Sequence, residues 1–447
     1  MVPVRSSFVA RVKLRATLVV VFTLSMGLSA FGGGAVASAK SAPLSYGPIN
    51  IWYSNNAQEI SWGEQEVAAW NHLYPSQKVT GQQIPAAESS EEVIEAAITA
   101  GSEPCLIYNT APAAVPDFEA MGGLVPLNSF PGAVSYIYAR TGALAGMYKS
   151  PDNEFYQMPW KSNPVVIFYN KTEFAKAGIS TTNPPLATYS EFLATAKKLV
   201  SSGAAKLAID PSPSSEFYEA WYDFYPLYAA ESGGKLLVEN GKATFDSSAG
   251  QAVAAFWAQL YKEKLAGNET YTGDPFADGS AAMAIVGPWA IADYQGKEGS
   301  PKVNYGVVPL PTSKGNTSYT VPTFSDSKNI AMYASCKNRG TAWDFLKFTT
   351  SESADGKLLS ITGQMPMRQG LEKQYASYFA ANPDYKDFAV EAAHIIDCPY
   401  VSNSIEVWQV FRNDWSKAVI FGSGSPDSAL ASASSAIDKL VASNSSP

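Results

Sequence analysis

The chemistry open to this chain is limited by how few reactive side chains it carries and how many rings. Its 447 residues include 2 histidines and 3 cysteines, against 24 Tyr, 21 Phe and 10 Trp. His72 and His394 stand alone, and no Cys-x-x-Cys or His-x-x-x-His spacing occurs. Metal ligation is therefore not expected, and no cofactor is either. A nucleophilic serine at a strand-to-helix elbow needs Gly-x-Ser-x-Gly, and Gly422-Ser423-Gly424-Ser425 has the wrong spacing. No Gly-x-x-x-x-Gly-Lys-Ser/Thr phosphate loop exists. Cleavage of a glycosidic bond needs two facing carboxylates. Asp210, Glu216, Glu219, Asp223, Asp274, Asp278 and Asp293 qualify by type alone, but acidic residues more often solvate a surface or cap a helix. The chain is not expected to be an enzyme.

The rings are the remaining signal. A sugar ring has apolar C–H faces and a polar edge. Trp or Tyr can cover the face while Asn, Asp, Glu and Arg take the hydroxyls. Each such contact contributes about 0.5–1.5 kcal/mol beyond its buried area, by analogy with aromatic pairs. Trp257 and Trp343 lie on regular helical apolar faces and read as core. Trp289, Trp221 and Trp408 lie beside turns or polar clusters and are the better platforms.

Certain elements must position these rings. Ile49–Tyr53 reads as a strand, followed by the polar turn Ser54–Gln58 and a helix from about Ser61 to Leu73. Lys78–Ile84 is a second strand, Glu91–Ala100 a helix ended by Gly101, and Leu106–Tyr108 a third strand. This β-α-β-α-β opening predicts a parallel sheet with helices on its faces. Val165–Tyr169 is a strongly apolar strand, followed by helices over Thr172–Ala177, Tyr189–Val200 and Ala249–Leu265. Ala281–Val286 carries only small and apolar residues, as a strand covered on both faces does. Gly287-Pro288 stops it and places Trp289 at the first turn of the next helix, beyond the strand's carboxyl end, where open α/β sheets bind ligands. Later come strands at Asn304–Val308 and Lys328–Ala334, a helix at Thr341–Thr349, an aromatic helix around Trp408, Phe411 and Trp415, and a terminal helix from Pro426 to about Val441. With no repeat and no long linker, two α/β lobes sharing several crossovers fit the pattern.

Composition bounds the partners. Hydrophobic residues are 46% and charged residues 16%, the latter below the usual ~25%. A net charge of −8 without a Lys/Arg cluster disfavours nucleic acid. Arg5, Arg11, Lys13 and Arg15 precede an apolar stretch from Ala16 to about Phe31, and Ala37-Ser38-Ala39 offers a small-x-small cleavage site. Residues 1–39 are thus expected to be an export signal. No cysteine precedes Cys105, so no lipid-anchoring cysteine is available at the amino terminus. In an exported chain, one disulfide and one buried thiol are expected among Cys105, Cys336 and Cys398, the pair being open.

Several segments together resemble the extracellular solute-binding proteins of ABC sugar importers, the group that includes maltose-binding protein. They are the Ile49–Tyr53 strand with its polar turn, AITAGSEPCL at Ala97–Leu106, MPWKSNPVVIFYNKTEFAKAG at Met158–Gly178, Gly-x-Ala-Ala-Met…Gly-Pro-Trp within Phe276–Asp293, WDFLKFTT at Trp343–Thr350 and MPMR at Met365–Arg368. They span nearly the whole chain after the signal. Cys105 stands where the family usually has Asp, and Ser325-Asp326-Ser327 where relatives often have Gly-rich backbone. The resemblance implies a two-lobed α/β clamshell of the type II periplasmic-binding-protein kind with three interlobe crossovers. The lobes would be 43–163 plus 330–364, and 164–329 plus 365–447. It implies capture of a small carbohydrate in the cleft and delivery to the transmembrane subunits of an ABC permease, by a monomer that is periplasmic or held at the cell surface. A polyol, a glycerol phosphodiester or a peptide is the alternative ligand, and a secreted glycan-active enzyme the alternative class. Carried over residue by residue, Trp289, Tyr222 and Trp408 would stack on the ligand, with Trp221 a further ring. Asn55, Asn56 and Gln58 would hydrogen-bond it. Trp160 and Asn163 precede the first crossover, and Ser325, Asp326 and Arg368 lie near later ones.

Overall fold

The computed structural model describes residues 44–87, 89–296 and 302–443. The export-signal reading at 1–39 lies outside them. β1 (Ile49–Tyr53), β2 (Val79–Gln83), β3 (Leu106–Thr110) and β4 (Met158–Ser162) come first. β5 (Val166–Asn170) and β6 (Leu207–Ile209) follow, then the hairpin β7 (Val238–Glu239) and β8 (Lys242–Ala243). The remaining strands are β9 (Ala281–Val286), β10 (Tyr305–Val308), β11 (Thr323–Phe324), β12 (Lys328–Met332), β13 (Met365–Pro366) and β14 (Ile395–Ile396).

Two sheets carry the architecture. The first runs β13-β4-β12-β3-β1-β2 and the second β10-β5-β9-β6. β2, β1 and β3 are parallel, as the alternating strand–helix pattern requires. The other half of the first sheet is antiparallel, with β12 between β3 and β4 and β13 beyond β4. These strands enter from or leave toward the second sheet, so no helical crossover forces them parallel.

The chain passes between the sheets at Asn163–Val165, at Ser325–Ser327 and after β13, which makes the expected three crossovers. Because β12 begins at Lys328 and β13 pairs with β4, residues 328–366 belong with the first sheet. That is two residues more at each end than the lobe bounds the resemblance implies.

The apolar strands are covered on both faces. On β5, Ile167 and Tyr169 enter one core, while Val166 and Phe168 enter another with Phe276, Tyr294 and Phe388. Side chains alternate across a strand, so a strand between two cores must be apolar throughout. The first lobe packs Trp62, Trp70, Tyr108, Trp160 and Trp343 into a core of its own.

Helix starts follow their caps. Asn56 accepts from the backbone N–H of Glu59 and starts the helix Ala57–Leu73. This helix begins four residues before the sequence reading, because the Asn56 side chain supplies a partner for an otherwise orphaned donor. Ser89 does the same for Ser90–Ala100, and Thr188 with Glu191 forms a reciprocal capping box.

Cys105 and Cys336 are joined, 231 residues apart, and Cys398 is free and buried. The bond ties the entry of β3 to the turn after β12. Replacing both, as Cys105→Ser with Cys336→Ser, should lower the melting temperature through a loss of about 2–5 kcal/mol. Calorimetry of the two proteins checks this, and an unchanged midpoint would show the cross-link to be dispensable.

Candidate functional site

A cleft of about 500 Å³ opens between the two sheets. One wall comes from the first sheet and its loops: Ser54, Asn55, Asn56 and Glu59 after β1, Asn109 on β3, Lys161 on β4 and Gln364 before β13. The other comes from the second: Asp210, Ser212, Glu219, Tyr222, Asp274 and Trp289. Asn163 and Asp326 sit at its base, on the crossovers. Ser54–Asn56 follows β1, Asn109 lies near the end of β3, Asp210 follows β6 and Trp289 follows β9. These are carboxyl ends, where diverging strands leave a crevice.

Trp289 lies in a single 3-10 turn, Pro288–Ala290, and is partly exposed. Gly287 decides the pose of its ring, since a Cβ there would stand 2.1 Å from the indole. Tyr222 meets Trp289 edge to face, with ring centres 6.3 Å apart and planes at 77°. Burial, together with the nearby Asp326 carboxylate, pushes the Tyr222 hydroxyl's pKa well up. A flat apolar surface is thereby fixed next to polar groups.

The polar wall is built around two lysines. Lys161 and Lys328 face each other directly across the β4–β12 pair, an arrangement that like charges disfavour. Each is matched. Lys161 is buried and paired with Glu59, which also accepts from Gln364 at 2.6 Å. Lys328 pairs with Asp326 at 2.9 Å and lies 5.8 Å from the centre of the Trp221 ring. Burial lowers the Lys161 pKa despite Glu59. Burial acts the same way on Lys328, but Asp326 and Glu91 outweigh it and hold that ammonium above its usual range. Gln364 also accepts from the Asn163 amide at 3.0 Å. Three buried acceptors on cleft residues, Glu59 Oε2, Asn163 Oδ1 and Asp210 Oδ1, have no hydrogen-bond partner among the described residues.

Of the residues carried over from the resemblance as ligand contacts, Trp289, Tyr222, Asn55, Asn56, Asn163 and Asp326 line this cleft. The others do not. Trp408 is fully buried against Tyr225 and Trp221, with ring centres at 4.8 and 5.9 Å. Trp221 is buried between Trp408 and Phe324. Trp160 packs on Trp62 and Tyr108 in the first core. Gln58 falls inside the helix that Asn56 caps, so its side chain leaves the loop surface. Ser325 is buried and accepts from the Asn163 N–H, because alternate crossover residues point to opposite sides. Arg368 is held by Asp355 at 2.8 Å and by the Thr350 carbonyl, beside a separate groove with Leu144 and His394.

Glu59, Lys161, Lys328, Gln364 and Asn109 were missed as cleft residues. The rule that strands present ligands at their carboxyl ends points to Asn109. No sequence signal pairs Lys161 with Lys328, since only strand pairing brings them together.

Burial raises the Glu219 pKa to about 7 and that of Asp210 to about 6. The native state therefore holds a proton on Glu219 that the unfolded chain has already released. This contribution to stability is full below the unfolded value of about 4.3 and is lost as pH rises toward 7. Glu219→Gln should flatten the fall in melting temperature between about pH 5 and 8, gaining on the parent at the upper end. Parallel pH–melting curves of the two proteins check the sign.

The sequence profile of the bacterial extracellular solute-binding protein family matches residues 54–355. The sn-glycerol-3-phosphate-binding periplasmic protein UgpB of Rhizobium meliloti is 25% identical over 285 residues, 59% of this chain and 62% of that protein. The maltodextrin-binding protein MdxE of Bacillus subtilis is 25% identical over 236 residues, 50% and 52% of the respective chains. Among solved structures, the Listeria monocytogenes protein lmo0859 superposes with a TM-score of 0.72 at 26% identity, covering 88% of this chain and all of that one (100%). The GacH receptor of Streptomyces glaucescens, solved unliganded and with acarbose, gives 0.71 at 22% identity over 89% and 99%. Two α/β sheets joined by three crossovers, a cleft at their strand ends and a profile match over most of the chain agree: this chain belongs to the bacterial extracellular solute-binding protein family.

Proposed function

We propose that this protein is an extracytoplasmic receptor that captures a carbohydrate in the cleft and delivers it to the transmembrane subunits of an ABC importer. The observation that carries the reading is the partly exposed Trp289 indole, braced edge-on by Tyr222 and facing Asn55, Asn56 and Asn109 across the cleft. A ring face for C–H groups with amides for hydroxyls is the chemistry of a polyhydroxylated ligand. Family neighbours support it: GacH was solved with acarbose and the T. maritima protein MalE3 with maltose. The receptor acts as an exported monomer, and it binds without turning its ligand over.

Ligand contacts to both walls at once favour the closed arrangement, so binding energy drives hinge closure about the crossovers. The closed form is the surface offered to the permease.

Calorimetry and thermal-shift measurements against mono- and oligosaccharides test this. One of them should raise the melting temperature and return unchanged after long incubation. Trp289→Ala should keep the fold and weaken that binding about tenfold or more, roughly 1.4 kcal/mol. Trp408→Ala should instead destabilise the protein by about 3–5 kcal/mol as a core truncation. Stabilisation by an amino acid or a polyamine, with none by any sugar, overturns the proposal.

A further inference from the structure

We propose that the cleft selects an amine-bearing saccharide, one that brings a positive charge and hydrogen-bond donors, and that it rejects phosphorylated ligands. This rests on the carbohydrate reading above and narrows it.

The first observation is the charge balance. Five carboxylates line the cleft, Glu59, Asp210, Glu219, Asp274 and Asp326, against two lysines. Both lysines are already matched, Lys161 by Glu59 and Lys328 by Asp326. Among the described residues lining the cleft no cation is left over to meet a phosphate, and removing a phosphate from water without one is costly. On the opposite wall, Asp210 and Glu219 make no ion pair among the described residues. The cations acting on them are Lys206 for Asp210 and Arg412 for Glu219, and Arg412 is committed to Asp223 at 2.7 Å. Asp223 and Glu216 add negative charge near Glu219, while Ser212 beside Glu219 and the Gly267 N–H beside Asp210 favour the charged forms.

The second observation is independent. The buried orphan atoms on cleft residues, Glu59 Oε2, Asn163 Oδ1 and Asp210 Oδ1, are all acceptors, with Glu59 and Asn163 only 5% and 2% exposed. A ligand that completes them must donate. Hydroxyls donate, and an ammonium donates three times. When the cleft closes on a neutral sugar, the Asp210 carboxylate loses water without gaining a counter-charge, and Glu219, already part-protonated near pH 7, is driven to its neutral form. When it closes on an ammonium they are compensated, which is the difference that sets specificity.

The test measures binding of the purified protein at about pH 7 to short glucosamine oligosaccharides, to their N-acetylated counterparts of equal length, and to sn-glycerol 3-phosphate. The amine series should bind about tenfold more tightly than the acetylated one, and the phosphate not at all. Raising salt from about 50 to 500 mM should shrink that preference, because screening acts on the charge alone. Asp210→Asn with Glu219→Gln should abolish the preference, read as the ratio of the two affinities in the variant. Equal or tighter binding of the acetylated series, or competition by the phosphate, overturns the charge selection and leaves the carbohydrate reading standing. Failure of every saccharide to bind overturns both. If the double variant does not fold, a salt-independent preference in the parent is enough to overturn the charge selection.

Discussion

The structure depends on one short hydrogen-bonded crossing. Two extended segments, around Asn163–Val165 and Phe324–Asp326, run antiparallel between the sheets. Val165 N–H donates to the Phe324 carbonyl at 3.1 Å, and Asp326 N–H to the Asn163 carbonyl at 3.0 Å. The Asn163 N–H donates to Ser325 Oγ at 2.8 Å, and Ser325 N–H donates to the Ile396 carbonyl beside β14 at 3.0 Å. This ladder links the two lobes by main chain, as does the passage after β13. Because side chains alternate along it, Asn163 and Asp326 face the cleft while Ser325 is buried. The same geometry that joins the lobes therefore also furnishes the base of the site.

Charge pairing is the second constraint. β12 returns antiparallel beside β4 in a register that sets Lys328 opposite Lys161. Two ammonium groups so placed, one buried and one part-buried, are tolerable only with a carboxylate each. Glu59 comes from the first turn of the helix after β1, and Asp326 from the crossover itself. The lysines thus serve the architecture and hold the polar wall rigid through Gln364 and Asn163. That commitment leaves the opposite wall, with Asp210 and Glu219, as the part of the cleft still able to respond to a charged ligand.

Much of the fold was legible because its signals are local. β9 was readable over its full length because both its faces are buried, so apolar character has no gaps. Trp289 was readable as an edge ring because Gly287-Pro288 must end the strand just before it. Trp408 was misread for a related reason. Polar neighbours in sequence do not show that its own helix turns the ring inward, onto Tyr225 and Trp221. Gln58 was misread because Asn56 can be a loop residue or a helix cap, and as a cap it pulls the next residues into the helix. Arg368 faces Asp355, a buried carboxylate that also binds Arg140, and nothing in either local sequence announces that pairing.

By itself the sequence determined where strands and helices form, that two α/β units share the chain, and that a tryptophan stands at the carboxyl end of a buried strand. Those outcomes follow from periodicity, capping and turn chemistry acting over a few residues. Tertiary structure alone decided which ring faces the cleft, which cysteines join, and which charges are spent on each other. Each of these depends on residues distant in the chain, as with Cys105 and Cys336 or Lys161 and Lys328. Such contacts are set by sheet register and by the crossing of the two lobes, and neither is encoded within a single local stretch.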